Sequence, residues 1–197
     1  MLSLISSYAA IIASIWIVVG VYVAGRFYPN YSHRKQFCSE LGATGSPTEK
    51  LSPLINNYPL GILFCLFGWH VLAFDDASIL INLVAWLVIV HGIGTWVAGY
   101  FPMDADPYIK TPTVSCNIHS WAGFIMLLSL LIAPLLVVFS ESVSVIFRWF
   151  SAVSAGFTIY FLVLLAKAFK ARKHAGVYQR VSYGIQLLWL SAFSWVI

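Results

Sequence analysis

Long apolar runs alternate with short polar breaks along this chain, and the breaks are sharp. Six runs approach the ~20 mostly apolar residues that a helix needs to cross the hydrocarbon of a bilayer. They cover residues 4–27, 55–74, 79–101, 119–139, 143–169 and 181–197. Pro29 and Asn30 end the first run, Asp75 and Asp76 divide the second from the third, and Pro102 ends the third. The last run is the shortest. Small residues four apart, at Gly20/Ala24, Gly94/Ala98 and Ala152/Gly156, mark expected close helix contacts. Trp96, Tyr100 and Phe101 fit an aromatic belt at one membrane interface. The pattern predicts an all-α integral membrane protein, a six-transmembrane-helix bundle, with residues 1–197 forming a single transmembrane domain.

Composition excludes the soluble alternatives. Of 197 residues, 60% are hydrophobic and only 9% charged, against about 25% charged in an average soluble domain. A water-soluble fold of this composition would expose large apolar patches, and no polar stretch is long enough for a second domain. Residues 1–10 carry no basic n-region, and no clean small-residue cleavage site follows. The first run is therefore expected to be a retained helix rather than a signal peptide.

The net charge of +4 reflects topology, not nucleic-acid binding, because the basic residues lie at the ends of apolar runs. Loops one, three and five carry Arg26, Arg34, Lys35, Lys50, Lys110, Lys170, Arg172, Lys173 and Arg180, whereas the opposite side has only Arg148 beside Asp75, Asp76 and Glu141. The positive-inside rule then places loops one, three and five in the cytoplasm and both termini outside. Cys38, Cys65 and Cys116 have no metal-ligand spacing. A disulfide between Cys38 and Cys116 would argue against a cytosolic basic side.

The segment from Phe37 to Pro47 gathers a carboxylate, several hydroxyls, a thiol and two glycines in a chain with few polar groups to place. Topology puts it on the same face as Asp104, Asp106 and His119. In an enzyme, Glu40 or His119 would act as general base, Asp104 would orient it, and Ser39 would be a donor or nucleophile. Asp104, Asp106 and His119 also form an oxygen/nitrogen donor set for a divalent metal. The competing reading is structural: Ser39 or Asp106 capping a turn, and Gly42 and Gly45 supplying backbone conformations with positive φ.

His91 lies near the middle of the third run, where an ionisable side chain is costly and suggests function. Thr95 shares its helix face. Ser151, Ser154 and Thr158 recur at helical spacing on the fifth run, and Ser182 and Gln186 on the sixth. His91, Thr95 and Gln186 are thus expected substrate-binding residues of a small transporter or channel, or else partners in interhelical hydrogen bonds. Haem is not favoured, since His70 and His91 differ by ~13 Å in depth at ~1.5 Å per residue.

Ser39-Glu40-Leu41-Gly42-Ala43 in loop one, Phe101-Pro102-x-Asp104 after the third run, and His119 beyond it together resemble the domain-of-unknown-function 998 family. These are small prokaryotic membrane proteins of about six helices. Met103 and Ala105 stand beside Asp104, where cysteines are common in that family. The chain is more distantly similar to the Frag1/DRAM/Sfk1 membrane proteins, which implies a role involving lipids and, contrary to the charge count, cytosolic termini. The resemblances imply a prokaryotic inner or plasma membrane location and membrane lipids as partners; the placement of the basic residues already argues against nucleic acid. The resulting expectation is a protein that binds, or acts on, a lipid head group or other amphiphile at a polar site formed by loops one and three. The alternatives are the transporter or channel, and a structural or regulatory protein without catalysis.

Overall fold

The computed structural model describes residues 2–74 and 77–197, with side chains from Ile5 onward. Asp75 and Asp76, the expected break between the second and third runs, lie outside the described residues. Among the described residues six α-helices follow one another: α1 (Leu2–Arg26), α2 (Tyr58–Leu72), α3 (Ile79–Tyr100), α4 (Val114–Val138), α5 (Val145–Lys170) and α6 (Ala175–Phe193). Loop one holds a 3-10 turn, Cys38–Gly42, and a π-turn, Pro53–Asn57, leads into α2. The chain is an all-α integral membrane bundle.

Helices start where short hydroxyl side chains stand ready to bond the free N–H groups of a first turn. Ser78 accepts from Ile81 N at α3, Thr113 from Cys116 N at α4, and Ser144 from Phe147 N at α5. Arg148, the one basic residue of the acidic side, donates Nε–H to Val138 O at 2.7 Å. It thereby satisfies an otherwise unpaired carbonyl at the end of α4.

Two helix starts depart furthest from the hydropathy limits. α4 begins at Val114, because Thr113 caps it there, so His119 sits in its second turn. α6 begins at Ala175, ahead of the apolar run. Its first turn is held by loop one, with Gly176 N donating to Lys35 O and Val177 N to Arg34 O.

Five segments, Ile5–Arg26, Pro53–Leu72, Ile79–Tyr100, Val114–Val138 and Val145–Lys170, are long and apolar enough to cross a membrane. α6 is less apolar, yet it reaches from loop one to the start of α5. There Trp189 donates Nε1–H to Ser151 Oγ at 2.9 Å, and Trp189 and Phe193 stack with centroids 5.3 Å apart.

The core fills the half of the bundle away from loop one, with Phe64, Phe67, Val84, Val88, Leu130, Val137, Phe147, Trp189 and Phe193 buried together. α2 and α3 approach closely through glycines. A Cβ on Gly92 would stand 2.9 Å from Gly61 O and 2.7 Å from Cys65 Sγ. Gly94 packs against Met126 of α4, and Gly20 against Asn56 of the π-turn. The expected contact at Ala152/Gly156 does not form. A Cβ on Gly156 would meet nothing within 4 Å, and the residue is exposed on the lipid-facing surface.

Candidate functional site

Loop one is a folded cap, not a loose connector. Leu41 is its fully buried anchor, and its carbonyl oxygen accepts from Ser46 Oγ (3.0 Å) and Thr48 Oγ1 (2.6 Å). Gly45 takes φ 76°, a conformation that glycine adopts freely, and donates N–H to Glu49 Oε2 at 2.7 Å. Glu40 closes the 3-10 turn: Oε1 accepts from Phe37 N at 2.7 Å and Oε2 from Gln36 Nε2 at 3.2 Å. Both carboxylate oxygens are thus engaged within loop one.

The Phe101-Pro102-x-Asp104 stretch stitches three elements together. Pro102 O accepts from Ser115 Oγ of α4 (2.8 Å), and Met103 O accepts from Thr44 N of loop one (2.9 Å). Asp104 accepts from Thr113 N (2.9 Å) and Thr113 Oγ1 (2.7 Å). These bonds favour the charged carboxylate and hold its pKa below the ordinary value. Asp106 accepts from Tyr108 N at 2.9 Å, in an Asx turn. His119 Nδ1 lies 2.9 Å from both Ala98 O and Phe101 O at the end of α3. Carbonyls only accept, so Nδ1 carries the proton and Nε2 keeps its lone pair.

α6 latches loop one from below. Gln179 Oε1 accepts from Cys38 N at 2.8 Å. Arg180 Nη1 donates to His33 O (2.6 Å), Gln36 O (2.8 Å) and Gly176 O (3.0 Å), and Nη2 donates to Tyr31 Oη (2.6 Å). Burial pushes the Tyr31 hydroxyl and the Cys38 thiol above their ordinary pKa values, with the Arg180 charge pulling both partly back. Burial, then Arg180, lowers that of His33. All three cysteines are free thiols.

Beneath this cap lies a cavity of about 510 Å³. Its roof is formed by His33, Cys38, Ser39, Gln179 and Arg180, and its floor by His91, Gln186 and Leu187. At ~1.5 Å per residue along α3 from Tyr100, the floor is ~13 Å below the loop-one face. On one side the cavity lies between α1 and α6. These helices touch lower down, where Ser14 Oγ meets Ser191 Oγ at 2.8 Å. Above that point Val18 and Tyr22 of α1, both largely exposed, and Gly184 of α6 line the cavity. A Cβ on Gly184 would meet nothing within 4 Å. The cavity therefore borders the lipid-facing surface.

The floor carries a polar cluster. His91 is fully buried; its Nδ1 lies 3.0 Å from Met126 O and its Nε2 2.8 Å from Tyr183 Oη. Met126 O can only accept, so His91 donates from Nδ1 and accepts the Tyr183 hydroxyl at Nε2. Thr95 Oγ1 donates back to His91 O at 2.8 Å. Gln186 donates Nε2–H to Leu127 O at 3.3 Å. Asn56 is buried in the wall, and both its amide atoms lack a hydrogen-bond partner among the described residues, a cost of roughly 1–3 kcal/mol per group.

Of the residues picked out from sequence, Ser39, His91, Thr95, His119 and Gln186 line this one cavity; Glu40, Asp104 and Asp106 do not. Among the described residues, no three His, Cys, Asp or Glu side chains stand where they could hold a metal ion. The set of Asp104, Asp106 and His119 therefore does not assemble as a metal centre: Asp104 is turned to Thr113 and Asp106 to Tyr108. His70 pairs through Nδ1 with Ser6 Oγ at 3.2 Å. Ser151 is taken up by Phe147 O and Trp189, and Ser154 and Thr158 lie outside the cavity lining.

Tyr183, Gln179 and Asn56 were not picked out from sequence, and Arg180 stood out only as one of the basic loop residues. Gln179, Tyr183 and Gln186 recur at i, i+4, i+7, one helix face, but starting the sixth helix at residue 181 hid that stripe.

The model of the family described as "Protein of unknown function (DUF998)" matches residues 11–196. No curated protein and no solved structure matches the chain.

Proposed function

The chain belongs to the DUF998 family of proteins of unknown function, and from that premise we propose that it binds a membrane amphiphile in the cavity beneath loop one. The polar head sits between roof and floor, and the tail leaves past Val18, Tyr22 and Gly184 into the bilayer. The observation that carries this reading is the position of the cavity: polar groups at both ends, mostly apolar walls between them, and a lipid-facing side at the α1–α6 gap. Pockets of several hundred Å³ with a few placed polar groups are the usual setting for small-molecule binding.

A continuous channel is the weaker reading. Below His91 the bundle is packed with Phe64, Phe67, Leu130, Trp189 and Phe193, so a path along the helix hydroxyls has no exit there. A catalytic role is carried best by His119, whose Nδ1 is fixed by two carbonyls and whose Nε2 keeps its lone pair; Glu40 and Asp104 are occupied in holding the loops.

Native mass spectrometry of protein extracted from membranes tests the binding. The wild type should retain a lipid-sized adduct, Gly184→Trp should lose it by filling the cavity, and Gly156→Trp, on the outer face, should keep it. An adduct equally abundant in Gly184→Trp would sink the reading.

A further inference from the structure

The hydrogen-bonding groups left free in the cavity bear on the chemistry of the head group. Among the described residues, only Arg180 brings a full charge to the lining, which contains no Asp, Glu or Lys. Both terminal nitrogens of Arg180 are already committed, to three loop and helix carbonyls and the Tyr31 hydroxyl. What remains available is mostly acceptor, apart from the unpaired Asn56 amide buried in the wall, which holds one donor group and one acceptor. Gln186, although buried, uses its Nε2 on Leu127 O. Its Oε1 has no partner among the described residues and is not sealed from the cavity. Tyr183 spends its hydroxyl proton on His91 and keeps its oxygen lone pairs. His119 Nε2 is likewise an acceptor, because Nδ1 holds the proton.

A phosphate offers acceptors to this acceptor-rich wall and would lose its hydration without replacement bonds. A hydroxyl group does the reverse: it donates to Gln186 Oε1, Tyr183 Oη or His119 Nε2, and accepts in turn from Ser39. Resting on the cavity reading above, we propose that the ligand is an amphiphile with a neutral, hydroxyl-bearing head, of the glycerol or sugar class, rather than an anionic phospholipid. Gln186 is its buried specificity residue. Of the basic residues between Lys167 and Arg180, only Arg180 reaches this lining; Lys167, Lys170, Arg172 and Lys173 lie outside it.

The test uses full-length protein in phosphatidylcholine nanodiscs, avoiding sugar-headed detergents that would compete. Diacylglycerol, monoglucosyl diacylglycerol and phosphatidic acid with identical acyl chains are titrated, and binding is read by native mass spectrometry and by the shift in thermal unfolding. Free glycerol and glucose are run alongside to separate a membrane source from a soluble one. The hydroxyl-headed lipids should bind, and phosphatidic acid should bind at least ~5-fold more weakly. Gln186→Met, which keeps the packing of an unbranched chain, should lower affinity for the hydroxyl-headed lipids ~3–10-fold, the worth of one net hydrogen bond. It should leave the weak phosphatidic acid binding unchanged. Preference for phosphatidic acid, or unchanged affinity in Gln186→Met, overturns the head-group inference while leaving the cavity reading standing. Binding of none of the three lipids overturns both. Binding of free glucose or glycerol as tight as that of the lipids overturns the membrane source.

Discussion

The hydroxyl of Tyr183 on α6 lies 2.8 Å from Nε2 of His91 on α3, joining two helices across the floor of the cavity. His91 also reaches α4 through Met126 O, so one imidazole ties three helices together. Tyr183→Phe removes the hydroxyl and leaves a buried acceptor unpaired. It should destabilise the protein by about 1–3 kcal/mol, seen as a lower thermal midpoint in detergent. His91→Phe, which cannot donate to Met126 O, should cost at least as much. A midpoint unchanged in both variants would mean the bond contributes nothing.

Arg180 and Gln179 hold loop one over the cavity, and Cys38 reports on that closure. Its thiol is raised by burial, with Arg180 lowering it partly, so alkylation near pH 8 should be slower than for a free thiol. Arg180→Ala should speed it at least ~10-fold, because losing hydrogen bonds from a charged group costs about 1.5–3 kcal/mol and opens the cap. Loss of the charge alone would push the thiol higher and slow the reaction, so a faster rate reports opening. The other two free thiols, Cys65 and Cys116, are removed beforehand by Cys65→Ala and Cys116→Ala.

Asp104 predicts a pH dependence with a definite sign. Its folded pKa is depressed by the bonds from Thr113, so its contribution is fully present above the unfolded value of about 3.9. It is lost as pH falls through the lower folded value. Asp104→Asn should therefore unfold at a lower temperature than wild type at pH 7, and the gap should close below pH ~4. Thr113→Ala, which removes the cap of α4 as well, should cost about 1 kcal/mol. A gap that stays constant down to pH 3 would contradict the assignment.

Gly92 and Gly156 form a matched pair. Gly92→Ala drives a methyl into Gly61 O and Cys65 and should cost about 1–3 kcal/mol. Gly156→Ala meets open space and should be neutral, or stabilising by up to ~1 kcal/mol through helix propensity. Thermal unfolding of the two variants side by side decides it.

The charge asymmetry predicts orientation. In a background without native cysteines, Glu49→Cys should resist a membrane-impermeant thiol reagent in intact cells, and Glu141→Cys should react. The reverse pattern would invert the topology.

Hydrophobic length and punctuation by themselves determined an all-α membrane bundle and its first five long helices, because a bilayer demands about 20 apolar residues per crossing whatever the packing. They also marked loop one, the Phe101–Asp104 stretch and His119 as belonging to one face. Linear order could not say what those polar groups are spent on, since a carboxylate that caps a turn and one that meets a ligand look alike in a sequence. Only the tertiary structure turned Glu40 inward to Phe37 N and Asp104 to Thr113. It also started α6 six residues before its apolar run, bringing Gln179 and Arg180 onto the cavity beside Tyr183 and Gln186. The reason is physical. The first turn of α6 takes its hydrogen-bond acceptors from loop one, more than a hundred residues away in the chain, and no local pattern encodes that pairing.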